Sequence, residues 1–342
     1  MKHTFPILTL LFALAISFNA CNSRVDLYAD YKDIPIIYGL LDYTQDTNFV
    51  KIIRAYSNNN ENPIEANVIS LIADSSNYPG KLDARLIELE RTSGNNYSPT
   101  GREIVLDTIT LHHKESGDFY YPNQKIYYTA ERLKNNSNNH TYKYHLQVLK
   151  GDDTISSTTG MVGGSDFEIV GQNVIFSPDS PDSRTLTIRP AQNAYVYSAK
   201  MKFEYTEKAP GHPLEYKSVE WSLGYYPASE IQIENGTFKI KYAENTLFNH
   251  LRVAIGNNTN NNVERYIGNF TVSVAAGGDE LYNYIEINSQ SGGLSQNVPD
   301  YTNINGGFGI FSSRVNLEKK MNLSANTQVQ LIGMEGWNFH QQ

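Results

Sequence analysis

The stretch YTNINGGFGIFSSR, Tyr301 to Arg314, admits two folds, and the choice between them sets the class of the whole chain. A glycine loop that cradles phosphate comes after a strand and opens a helix, so that backbone N–H groups face the anion. Here the lead-in NVPDYTNIN is turn-like and holds Pro299, and no lysine stands at phosphate-binding spacing. Arg314 lies too far along to replace it. The next residues, FGIFSSRV, alternate as a strand, with Phe308, Ile310 and Ser312 on one side. Gly306, Gly307 and Gly309 therefore read as a structural turn that feeds a final strand. Asn303 and Asn305 tolerate left-handed backbone, and Gly306 or Gly307 can take positive φ or admit another backbone closely.

Strand-like segments extend in both directions from this stretch. The chain has 24 Tyr and only 2 Trp, and Asn-rich runs separate its apolar segments, a composition that suits pleated surfaces joined by turns. In the first half IPIIYGLLDYTQDTNFVKIIRAYS reads as two strands joined at TQDTN. KLDARLIELER sets Leu82, Ala84, Leu86 and Leu89 among charges in an imperfect alternation, and YKYHLQVLK places Tyr142, Tyr144, Leu146 and Val148 on one face. REIVLDTITLHH and DTISSTT are further strands. PIEANVISLIADSS, opening on Pro63, is the helix candidate of this half. GMVGGSDFE, Gly160 to Glu168, reads as a linker.

In the second half RTLTIRP, AYVYSAKMKFEYTE, YKSVEWSLGYYP, GTFKIKYA and VERYIGNFTVSVAA read as strands. ENTLFNHLRVAIG carries Leu247, Phe248, Leu251 and Ile255 in a helical stripe closed by Gly256, and GGDELYNYIEINSQ is a second helix capped by Asp279. A last short helix starts at Ser324, GMEGWNF is a tail, and NNSNNH and NNTNNN are exposed loop tips. The expected fold is mainly β: two β-sandwich-like (Ig-like) domains over residues 33–163 and 164–342, the second mixed with a few short helices.

The N-terminus, MKHTFPILTLLFALAISFNAC, has a charged start, an apolar run from Phe5 to Phe18 and small Ala20 before Cys21, the layout of a secretory signal over residues 1–20. The run is shorter than the ~20 residues of a bilayer span. Cys21, the only cysteine, stands where a bacterial lipoprotein is lipidated, with residues 21–32 as tether. The competing reading is an ordinary secreted protein. Several acyl chains would anchor stably where one is marginal. A lone cysteine excludes internal disulfides, and a net charge of -8 argues against nucleic acid.

Chemistry is sparse in the sequence. His112 and His113 are adjacent, and strand neighbours point to opposite faces, so they do not form a metal pair. SPDSPDSRT lacks the spacing and glycine of a calcium loop and reads as a turn before a strand. No Gly-x-Ser-x-Gly elbow occurs. Neither a catalytic residue nor a cofactor is expected. Tyr120 and Tyr121, with Tyr127 and Tyr128 nearby, and Tyr225 in GYYP, are the candidate ligand or interface aromatics, against the plainer reading of rings packed on both faces of a sheet.

IPIIYGLLD (Ile34 to Asp42), ADSSNY (Ala73 to Tyr78) and the pattern Asn-Ile-x-Gly-Gly-x-Gly-x-Phe, behind a lipoprotein signal, resemble a Bacteroidetes cell-envelope lipoprotein family of unknown function. The resemblance implies a β-rich fold, an outer-membrane location on the periplasmic or the surface side, and in some members a neighbouring TonB-dependent receptor. It carries over no catalytic residue. The leading expectation is a non-enzymatic, lipid-anchored envelope protein that binds a partner protein or envelope ligand. The alternatives are glycan or nutrient capture beside a TonB-dependent receptor, and a hydrolase whose site assembles only in three dimensions.

Overall fold

The computed structural model describes residues 34–55, 76–112, 123–256, 262–289 and 301–341. The fold is mainly β, with several antiparallel sheets and, among the described residues, three α-helices. It begins with the expected hairpin of β1 (Pro35–Leu41) and β2 (Asn48–Arg54). The Asn48 amide closes the turn: its Oδ1 accepts from Asp42 N at 2.7 Å, and its Nδ2 donates to Asp42 O at 3.1 Å. The next strands are β3 (Asp83–Ser93), β4 (Asn96–Val105), β5 (Asp107–Leu111), β6 (Gln124–Thr129), β7 (Tyr142–Lys150) and β8 (Asp153–Gly160). REIVLDTITLHH thus divides into two strands at buried Leu106, whose N–H turns to Ala84 O at 2.8 Å.

A four-stranded sheet, β4-β3-β7-β8, shares a core with β1, β2 and β6. Ile37, Val50, Ile52 and Tyr127 meet Ala84, Leu86, Tyr144 and Leu146 there. The alternation of β3 differs from the expected one: Glu88, not Leu89, succeeds Ala84 and Leu86 on the inward face. The buried carboxylate is tolerated because it is fully bonded. It accepts from Tyr144 Oη at 3.0 Å, Arg102 Nη1 at 3.0 Å and Thr100 Oγ1 at 3.1 Å.

The chain continues through β9 (Glu168–Val170), β10 (Asn173–Val174), β11 (Ser183–Arg189), β12 (Val196–Lys208), β13 (Glu215–Pro227), β14 (Phe238–Ala243), α1 (Thr246–Ile255), β15 (Glu264–Gly277), α2 (Asp279–Ser289), β16 (Phe308–Leu323), α3 (Ala325–Gly333) and β17 (Phe339–His340). The sheet β14-β11-β9 and α1 share a second core with β12, β13, β15 and β16. Phe176 centres it, its ring 5.3 Å from Phe270 and 6.0 Å from Trp221. Helix α1 buries the expected Leu247, Phe248, Leu251 and Ile255, and Gly256 ends it at φ 61°. Ser324 caps α3 by accepting from Thr327 N at 3.2 Å. Of the helix candidate in the first half, residues 63–75 lie outside the described residues. No helix among the described residues is long and apolar enough to cross a membrane.

Three connecting segments differ from expectation. Asn136 of NNSNNH is buried, because its amide donates to Met161 O at 2.5 Å and accepts from Tyr142 N at 2.9 Å; residues 257–261 of NNTNNN lie outside the described residues. GMEGWNF is not a loose tail: Trp337 and Phe339 are buried, and β17 pairs parallel with β15. The segment expected to be a linker is packed, with Met161 in one core and Val162 in the other.

Tyr301 to Arg314 joins the two sets of strands. The first residues of β16 pair parallel with β1, from Ile36↔Phe308 to Leu41↔Ser313, and the rest pairs antiparallel with β15. One sheet therefore runs β13-β12-β15-β16-β1-β2-β6-β5. Gly306 and Gly309 have φ of 80° and 108°, whereas Asn303 and Asn305 are not left-handed. The asparagines serve as hydrogen-bonding residues instead. Asn303 brackets Phe311, donating to its O at 2.7 Å and accepting from its N at 2.9 Å, and Asn305 bridges to Ser156. At Gly307 an added Cβ would stand 2.7 Å from Pro35 O, so close backbone approach is its role.

Candidate functional site

Strand β1 is apolar on both faces. Ile37 and Leu41 point into the core, while Ile36, Tyr38 and Leu40 point away from it. The same outer face carries Phe49 from β2 and Phe308 and Ile310 from β16. Tyr38, Phe49 and Phe308 remain 42%, 50% and 48% exposed, a cluster of large apolar groups of the kind that marks a binding surface. Phe49 reaches the Tyr128 ring, 6.4 Å between centroids, which extends the patch toward β6.

Helix α2 packs over β16 and turns this face into clefts. Leu281, Tyr284 and Asn288 lie on one helical side, at i, i+3 and i+7, and look toward β1. A cleft of about 600 Å³ lies between Tyr38, Leu40, Phe49, Leu281, Tyr284, Ile310 and Arg314, with Asp42, Gln45 and Asn48 at one end. A second, about 360 Å³, is lined by Ile36, Tyr38, Tyr284, Asn288, Tyr301 and Phe308. Tyr38 and Tyr284 belong to both. Volumes of this size and a mostly apolar lining with few polar groups suit a small ligand or a short chain segment.

The start of α2 is fixed by a carboxylate. Glu280 Oε2 accepts from Thr159 Oγ1 and from Ser312 Oγ, each at 2.9 Å, and Ser312 Oγ accepts from Leu281 N at 3.2 Å. Burial is the largest influence on this carboxyl and raises its pKa above the ordinary glutamate range; the hydroxyl bonds pull the other way without overcoming it. A folded pKa above the unfolded value of about 4.3 gives stability that is complete below that value and lost as pH rises through the folded pKa. Glu280→Gln keeps an oxygen for both hydroxyls and removes the charge. The variant is expected to melt above wild type at pH 7, with the difference closing by pH 4; a lower Tm at both pH values in calorimetry would contradict this account.

Of the residues singled out in the sequence, Cys21, Tyr120 and Tyr121 lie outside the described residues. Tyr225 is on β13, 39% exposed, on the far side of α2 from the clefts. Burial and the neighbouring Glu286 carboxylate push its phenol up to about 12. Tyr127 is a core residue, its hydroxyl accepting from Leu82 N at 2.8 Å. His112 is exposed beside Asn123, and His113 lies outside the described residues. Gly309 floors the smaller cleft. The residues that sequence reasoning misses are Tyr38, Phe49, Tyr284, Tyr301 and Phe308; the uninterrupted apolar run of β1 is the signal for Tyr38, and the others are brought to it only by the fold. Polar hollows also flank Gly268 and Asn269 on β15; in one of them the lysines are paired, as Lys202–Glu204 and Lys217–Glu215, each at 2.6 Å, and the other has Lys320 as its one charged lining residue.

Comparison with protein-family models gives no match to this chain, and comparison with curated proteins gives none.

Proposed function

We propose that this chain is a non-enzymatic binding protein of the cell envelope, held to the outer membrane through lipidated Cys21, and that it receives its ligand or partner in the aromatic clefts beside α2. The observation that carries the reading is the cluster of Tyr38, Phe49 and Phe308 on the outer face of the sheet, each partly exposed, with Tyr284 of α2 lining the clefts beside them. The anchor rests on the N-terminal sequence. The motif resemblance favours an envelope setting and a TonB-dependent receptor as partner. Glycan capture is the second reading, favoured by Tyr284 and Tyr301, whose faces suit stacking on sugar rings.

One experiment addresses anchor and cleft together. Cells labelled with radioactive palmitate would carry wild type, Cys21→Ala or Phe49→Ala/Tyr284→Ala, and each protein would be purified in detergent and applied to a glycan array. Label is expected in wild type and the cleft variant and lost from Cys21→Ala. Co-purifying receptor, or array signal, is expected from wild type and reduced about tenfold or more in the cleft variant. Equal labelling of all three removes the anchor, and binding unaffected by the double substitution removes the cleft.

A further inference from the structure

Resting on the cleft reading, the charges around the larger cleft narrow the class of ligand. Only two charged residues line it, Asp42 and Arg314. Asp42 is 4% exposed and its carboxylate is occupied, accepting from Thr44 N at 2.9 Å and Thr44 Oγ1 at 2.6 Å. Arg314 is exposed, and its guanidinium has no hydrogen-bond or ion-pair partner among the described residues. Arg102, Arg184 and Arg265 are all committed to carboxylates. An uncommitted guanidinium beside an apolar cleft is a fork of donors suited to a planar carboxylate.

The strand sets the spacing. Ile310, Ser312 and Arg314 share the face under α2, so the guanidinium root lies roughly 13 Å from Ile310 at ~3.3 Å per residue. Phe49, Leu281 and Tyr284 supply further walls of the same cleft. We propose that the larger cleft binds a small amphipathic carboxylate, its apolar body between Phe49, Leu281 and Ile310 and its carboxylate on Arg314. The ligand is a free organic acid, one negative charge on a body of one or two rings or a short acyl chain.

The test uses two probes with one body, 1-naphthaleneacetate and its neutral amide, titrated calorimetrically into the full chain in detergent at low salt. Wild type is expected to bind the acid about tenfold more tightly than the amide, the lower end for a charge-assisted bond at an exposed site. Added salt shrinks the preference. Arg314→Gln, at an exposed position that should fold normally, loses the preference and keeps amide binding; Phe49→Ala weakens both. Equal binding of acid and amide by wild type, or a preference that survives Arg314→Gln, overturns the acid assignment and leaves the cleft as a neutral site. If neither probe binds, the small-molecule reading of the cleft falls with it.

Discussion

Gly309→Ala is expected to destabilise the protein by about 3 kcal/mol or more, because it combines backbone strain with a clash against main chain. Gly309 has φ 108°, a conformation that L side chains rarely adopt, and an added Cβ would stand 2.0 Å from Ile37 O and 2.9 Å from Ile37 C. Gly309 pairs with Ile37 in the parallel ladder between β1 and β16, so β1 cannot move aside without opening the sheet. Gly94→Ala is the internal control. That residue also has positive φ, 54°, but nothing lies within 4 Å of its added Cβ, and its cost should be only about 1–2 kcal/mol. Urea unfolding of both variants at pH 7 separates the two contributions. If Gly309→Ala were as mild as Gly94→Ala, the close approach of β1 would be refuted. Gly307→Val should act in the same direction through Pro35 O.

Arg265→Met is expected to cost about 3–5 kcal/mol, the range for removing one member of a buried charge pair. Arg265 is 1% exposed; its Nε donates to Glu207 at 2.7 Å and its Nη1 to Trp337 O at 2.9 Å. Its backbone N–H also donates to Asn338 O, so this residue fastens the last strand to β15. The substitution strands a carboxylate and a carbonyl at once. Arg265→Met/Glu207→Gln should lose less than the single change, since no uncompensated charge remains. Trp337, one of two tryptophans, is buried beside this pair, so its fluorescence should shift to the red and proteolysis near the C-terminus should quicken. A double variant no better than the single one would mean that the ion pair contributes nothing beyond packing.

The strands are largely legible in the sequence because period-two alternation is local: Tyr144, Leu146 and Val148 point inward as their spacing requires. The helix start at Ser324 is equally local, set by its cap. That of α2 is not: Asp279 is its first residue rather than its cap, and Leu281 N donates to Ser312 Oγ of β16. Long-range facts are not legible. Nothing in KLDARLIELER says that Glu88 has three partners waiting in β4 and β7, so Leu89 looks like the better inward residue. The buried role of Asn136 depends on Met161, far along the chain, and composition alone makes it a loop tip. The site is half visible. The apolar run Ile36 to Leu41 advertises a strand with no polar face, but only the packing of α2 from the other end of the chain shows that the outer face lines a cleft. Arg314 is too distant from the glycines to serve them, and its register beside Ile310 and Ser312 matters only once α2 sits above them.

The path of β16 also bears on time. Ribosomes deliver a chain from its N-terminus, so Pro35–Leu41 emerges long before the neighbour it will pair with, Phe308–Ser313. Until then one side of that ribbon has unpaired N–H and C=O groups, an open template for any passing strand. The first core meanwhile lacks Ile304 and Phe311. Closing so long a loop is slow compared with pairing local hairpins. The protein cannot finish its beginning before its end has arrived, and truncation after residue 300 would damage both ends of the chain at once.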